Sequence, residues 1–131
     1  MAKTVVIVED DADTIRLLQL TLERNGFMVH SARDGIAGLD LIKKKVPDAV
    51  VLDIKVPKMN GYEICTSLQK DEKLSRIPIM VITGLTENHS DEKDKEWCER
   101  LGVAAFMSKP FDPYDFAKRI RALVEEEEEE K

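Results

Sequence analysis

Five short apolar runs, at residues 4–8, 27–32, 49–52, 79–83 and 103–107, punctuate the chain, and each is followed by a segment of helical spacing. The runs are rich in β-branched residues and continuous, with no in-out alternation. Strands of that kind are buried on both faces, which is what a parallel sheet covered by crossover helices provides. The helical segments carry apolar residues at Ile15, Leu18 and Leu22; at Ala37 and Leu41; at Ile64 and Leu68; at Trp97 and Leu101; and at Phe116, Ile120 and Val124. Five strands alternating with five helices predict a three-layer α/β sandwich around a five-stranded parallel sheet. The expected strand order is 2-1-3-4-5, which makes the first and third strands neighbours.

Turn residues agree with these boundaries. Asn25-Gly26 closes the first helix, Gly102 closes the fourth, and Pro47 and Pro78 precede the third and fourth strands. A length of 131 residues suits one domain with a real core. That domain is expected over residues 1–124, with 125–131 an acidic extension of the last helix or a disordered tail, since 125–130 are all glutamate. A net charge of -6 and a pI near 5.0 argue against direct contact with nucleic acid. Cys65 and Cys98 lack CxxC spacing and read as reduced packing residues. The first apolar run meets Glu9 too early for a signal peptide, and no run reaches membrane-spanning length, so no membrane insertion and a cytoplasmic location are expected.

Polar residues of chemical interest cluster at the carboxyl ends of the runs. Glu9 and Asp10 follow the first, Asp53 ends the third, Thr83 ends the fourth, and Ser108 and Lys109 follow the fifth. In open parallel sheets ligands bind beyond those ends, where neighbouring connections leave on opposite faces. Three gathered carboxylates repel one another unless some are protonated or a cation sits among them. Oxygen ligands suit a hard cation, and Mg2+ is the expected cofactor. A carboxylate such as Asp53 can act as nucleophile and form an acyl phosphate. The cation and the Lys109 ammonium would neutralise charge during in-line transfer, and Thr83 could hydrogen-bond the phosphoryl group. Blander roles compete for some positions. Acids at 9, 10, 11 and 13 also suit a helix start, and Asp11 is assigned mainly to capping. His30 and His89 read as surface or loop residues, and Trp97 and Met107 as packing residues.

Four segments in this order resemble the response-regulator receiver domains of bacterial two-component signalling, typified by the single-domain chemotaxis regulator. They are Glu9-Asp10-Asp11; Val51-Leu52-Asp53-Ile54-Lys55-Val56-Pro57-Lys58-Met59-Asn60-Gly61; Thr83-Gly84; and Phe106-Met107-Ser108-Lys109-Pro110-Phe111. The resemblance implies a flavodoxin-like fold and a phosphorylation-activated receiver that takes a phosphoryl group on Asp53 from a histidine kinase or a histidine phosphotransfer protein. It implies Asp10 as a direct Mg2+ ligand, Glu9 as the acid holding metal-bound water, and the Lys55 carbonyl as a ligand beside Asp53. Thr83 and Lys109 would bind phosphoryl oxygens, and Thr83 with Phe106 would form the switch. Pro110 would follow a cis peptide bond that aims Lys109. Such a domain is not an enzyme with an external substrate, although it phosphorylates and dephosphorylates itself with Mg2+. Output would pass through an unnamed protein target on the surface of the fourth helix, fifth strand and fifth helix, with phosphorylation-linked dimerisation left open. Asn60, Gly84 and Phe106 depart from the family's commonest residues, and the polar connection from Thr83 to Lys109 is longer than usual.

Other classes fit less well. A phosphohydrolase with a strand-end aspartate carries a second aspartate two positions on, where this chain has Lys55. A flavin or nucleotide carrier needs a Gly- or Ser-rich cradle after the first strand, where Glu9-Asp10-Asp11 would repel phosphate. A scaffold that works without phosphorylation would not need the acids, Thr83 and Lys109 together. Whether the chain is a stand-alone regulator or part of a longer protein is open.

Overall fold

The computed structural model describes residues 2–84, 96, 99–109 and 111–130. Within them the order of elements is β1 (Thr4–Val8), α1 (Ala12–Arg24), β2 (Met28–Ala32), α2 (Gly35–Lys45), β3 (Ala49–Asp53), α3 (Gly61–Gln69), a 3-10 turn (Leu74–Arg76), β4 (Ile79–Gly84), β5 (Ala105–Lys109) and α4 (Pro113–Glu130). The five strands are all parallel, in the order β2-β1-β3-β4-β5. The expected fourth helix falls largely on 85–95, 97 and 98, outside the described residues; Glu96, Glu99 and Arg100 have helical backbone. His89, Trp97, Cys98 and Pro110 also lie outside them.

The period-2 geometry of each strand deals its side chains to two cores. Val5, Ile7, Val51, Met80 and Ile82 face Leu18 and Leu22 of α1 and Phe116 and Ile120 of α4. Val6, Val8, Val50, Leu52 and Val81 face Leu39 and Ile42 of α2 and Ile64 and Leu68 of α3. This is the three-layer sandwich expected from continuous apolar runs. Burying each such side chain stabilises the fold by about 1.5–3 kcal/mol. Since α1 and α3 pack on opposite faces, the connections leaving β1 and β3 diverge, and a crevice opens between those two strand ends.

Caps fix where the helices begin. Asp11 caps α1 by accepting from the Thr14 N–H at 3.1 Å, and hydrogen bonds from Thr14 hold its carboxyl below the usual range. Asp34 caps α2 through the Ala37 N–H at 2.8 Å. Asn60 and Glu63 make a reciprocal capping box at α3. The last turn of α2 carries Lys43, Lys44 and Lys45, which complement the helix dipole. Helix α4 keeps helical backbone through Glu130.

Two sequence readings need correction. The buried positions of α2 are Gly35, Gly38, Leu39 and Ile42, whereas Ala37 is exposed and Leu41 only half-buried. The fifth strand runs from Ala105 to Lys109, two residues later than the apolar run, because Gly102 turns the chain at φ +68° and pairing with β4 begins at Met80↔Ala105. Lys109 therefore belongs to the strand itself.

Gly35 sits where the turn into α2 crosses the loop after β3: its N–H donates to the Pro57 carbonyl at 3.0 Å, and an added Cβ would lie 1.7 Å from the Met59 carbonyl oxygen. Gly26, at φ +88°, has open space around it. Gly35→Ala should cost about 3 kcal/mol through backbone displacement, and Gly26→Ala about 1 kcal/mol through the left-handed conformation alone. Urea unfolding midpoints of the two variants check this; equal losses would refute the close-packed crossing.

Candidate functional site

Strand register assembles the site. Val8 pairs with Leu52, so Glu9 and Asp53, one step further along each strand, arrive side by side. Asp53 pairs with Ile82, and Gly84 with Lys109, which carries the lysine to the same sheet end two strands away. Thr83 pairs with Ser108 between them, so its backbone lies at this edge. The predicted set of Glu9, Asp10, Asp53, Thr83 and Lys109 thus shares one end of the sheet.

The buried members are held by named donors. Glu9 is 1% and Asp53 5% exposed. Lys109 Nζ donates to Glu9 Oε2 and to Asp53 Oδ2, each at 3.0 Å, and bridges them. The second oxygen of Asp53, Oδ1, accepts the main-chain N–H of Lys55 at 3.0 Å. The second oxygen of Glu9, Oε1, accepts the Asp11 N–H at 3.1 Å. Gly61 lets the start of α3 come close to this strand end: its N–H donates to the Ile54 carbonyl at 2.9 Å, and a Cβ there would stand 2.8 Å from Ile54 Cα.

Asp10, by contrast, is exposed. One carboxylate oxygen each from Glu9, Asp10 and Asp53 lies within 4.8 Å of the others. Three such oxygens suit a hard divalent cation, so the donor set fits a metal. Lys55 contributes its N–H to Asp53 and points its side chain to solvent. Phe106 is half-buried and packs against the core on the α2 and α3 side. Cys65 is buried, and His30 lies half-buried on β2.

Arg33, which the sequence reading passed over, also reaches this edge: Nε and Nη2 both donate to the Asp10 carbonyl, at 3.2 and 2.9 Å. Its position directly after the second strand, neighbour to the first, is the signal that could have found it.

The electrostatics follow from burial and crowding. Burial first, then the hydrogen-bonded and like-charged Asp53, push the Glu9 carboxyl from its ordinary 4.5 up to about 7; Lys109 and the Asp11 N–H offset only part of this. Burial works against the charge on Lys109, but its hydrogen bonds to Glu9 and Asp53 outweigh that, and its pKa is raised. The lysine therefore stays charged at neutral pH, while Glu9 titrates across it.

A sequence-family profile described as "Response regulator receiver domain" matches residues 5–121. The alkaline phosphatase synthesis transcriptional regulatory protein PhoP of Bacillus subtilis is 34% identical over 98% of this chain and 51% of its own length. Protein PilH of Pseudomonas aeruginosa is 32% identical over 92% of this chain and 96% of its own. The crystal structure of a CheY-like response regulator receiver domain protein from Methanospirillum hungatei superposes with a TM-score of 0.89 at 25% identity, covering 100% of both chains. The chain thus spans about half the length of PhoP, and nearly all of PilH.

The raised Glu9 carboxyl gives a signed pH dependence. Between about 4.5 and about 7 the folded chain holds a proton that the unfolded chain has released, so this contribution to stability is full below 4.5 and is lost as pH rises through 7. In chelator, the stability of wild type relative to Glu9→Gln should therefore decline across that window. Urea midpoints at pH 5 and pH 8 measure it, and a constant difference would show that Glu9 is not raised.

Proposed function

The chain belongs to the response regulator receiver domain family of two-component signalling, and on that premise we propose that Asp53 is its phosphoacceptor, using Mg2+ held by the neighbouring acids. The observation that carries the reading is the buried Asp53 carboxylate, bridged to Glu9 by the Lys109 ammonium at 3.0 Å on each side. An ion pair of this kind, set on a sheet edge and not within a core, serves chemistry better than it serves stability.

In the proposed step an oxygen of Asp53 attacks a phosphorus atom, its bond to the donor breaks, and an acyl phosphate forms. The Lys55 N–H on Oδ1 fixes the rotation of the carboxylate, leaving the Lys109 side to face incoming phosphoryl oxygens. Lys109 then moves its hydrogen bond from Asp53 to the phosphoryl group, keeping positive charge where negative charge accumulates. Asp10, Glu9, Asp53 and the Lys55 carbonyl would hold Mg2+, which supplies charge neutralisation and orientation of the phosphoryl oxygens. Thr83 is assigned to the phosphoryl group and, with Phe106, to the switch. Phe106 is half-buried at the boundary between core and solvent, which suits a residue that changes burial. A cis peptide bond before Pro110 would aim Lys109 at the phosphoryl group.

The donor would be a histidine kinase or histidine phosphotransfer protein in the cytoplasm; no described helix is long and apolar enough to cross a membrane. The receiver would dephosphorylate itself slowly. Its readout would be a protein target contacting β5, α4 and the segment around Leu101, without direct nucleic-acid contact.

The test is intact-protein mass after incubation with acetyl phosphate. Wild type should gain one phosphoryl group only with Mg2+, and Asp53→Asn none. Lys109→Ala should gain it on the order of 10²-fold more slowly. Equal gain in Asp53→Asn, or gain undiminished by chelator, would overturn the assignment.

A further inference from the structure

The three acids of the cluster are not equally constrained. Glu9 and Asp53 are buried and have both carboxylate oxygens hydrogen-bonded. Asp10 is exposed, and among the described residues the side-chain hydrogen bonds made to it reach its main-chain carbonyl. The chain on either side of Asp10 is fixed by regular structure. Pairing of β1 with β2 extends one residue past Val8↔Ala32, through the Glu9 N–H on the Ala32 carbonyl at 3.0 Å. Helix α1 begins at Ala12 with Asp11 as its cap. Asp10 is the residue between the end of the ladder and the cap, and the Arg33 fork grips it there.

We propose that Arg33 is a positioning residue for the cation site, holding the Asp10 main chain so that the Asp10 carboxylate is presented to the ion alongside Glu9 and Asp53. The proposal rests on the Mg2+ reading of those three acids. Groups that orient a metal ligand without touching the metal commonly contribute to affinity, because the ligand's freedom is restricted before the ion arrives. A guanidinium suits the task better than an ammonium, since two N–H groups of its rigid plane converge on one oxygen.

A competing effect has the opposite sign. Arg33 brings a positive charge near a cation site, and charge repulsion alone would make its removal tighten binding. The side chain is exposed, so solvent and salt screen that repulsion, whereas the two hydrogen bonds act at contact. Positioning therefore wins, and removal weakens binding.

Calorimetric titration of Mg2+ into wild type, Arg33→Ala, Arg33→Lys and Asp10→Asn decides the matter, together with thermal midpoints in chelator. Wild type should bind and Asp10→Asn should lose most of its affinity. Arg33→Ala should bind roughly tenfold more weakly, with a thermal midpoint in chelator matching wild type. Arg33→Lys, which keeps the charge and loses the fork, should also be weakened. A wild type that does not bind Mg2+, or an Asp10→Asn that binds as wild type does, would overturn the site reading and this proposal with it. Binding by wild type, with Arg33→Ala or Arg33→Lys equal to it or tighter, would overturn the role of Arg33 alone.

Discussion

The ammonium of Lys109 between Glu9 and Asp53 is the interaction on which the site depends. Burial, and then the hydrogen-bonded and like-charged Asp53, push the Glu9 carboxyl up to about 7, and the lysine offsets part of that rise. The lysine comes from β5, two strands away from Asp53, so the contact requires the whole register from β1 to β5 to be correct. A slip of one residue in any pair would turn one partner to the opposite face. The site thus reports on the sheet, and the sheet is built to deliver it.

The two cores explain why this edge stays open. Helices α1 and α4 cover one face and α2 and α3 the other, so the β1 and β3 connections part company above Glu9 and Asp53. Loop backbone then fills the rim at close range. Gly61 lets α3 start against Ile54, and Gly35 ties the turn before α2 to the loop after β3 through Pro57. The loop that follows Asp53 is consequently held from two sides, by the start of α2 and by the start of α3.

Much of this was legible in the sequence. Continuous apolar runs at β1 and β3 announced strands buried on both faces, and the acids that end them needed only the strand order to become neighbours. The face of α2 was misread because glycine has no hydrophobic signal: Gly38 is buried since an added Cβ would lie 2.7 Å from the Val8 side chain, while apolar Ala37 is exposed. The fifth strand was placed early because Val103 and Ala104 are apolar, although pairing with β4 begins at Ala105. Its polar end, Ser108 and Lys109, conceals strand character, because Lys109 leaves the strand to reach Glu9 and Asp53. Arg33 escaped notice because its partner is a main-chain carbonyl, and residue types do not encode which carbonyls lie within reach.

Which atom takes the phosphoryl group decides what this site does. Reducing the acyl phosphate with borohydride, digesting the protein and sequencing the altered peptide by fragment mass identifies that residue directly. Modification is predicted at Asp53 and at neither Glu9 nor Asp10: the Glu9 carboxyl is pushed up to about 7 by burial and by Asp53 and is the poorer nucleophile, and the Asp10 carboxylate is exposed. A phosphoryl group found on Glu9, on Asp10 or on a hydroxyl side chain would contradict it.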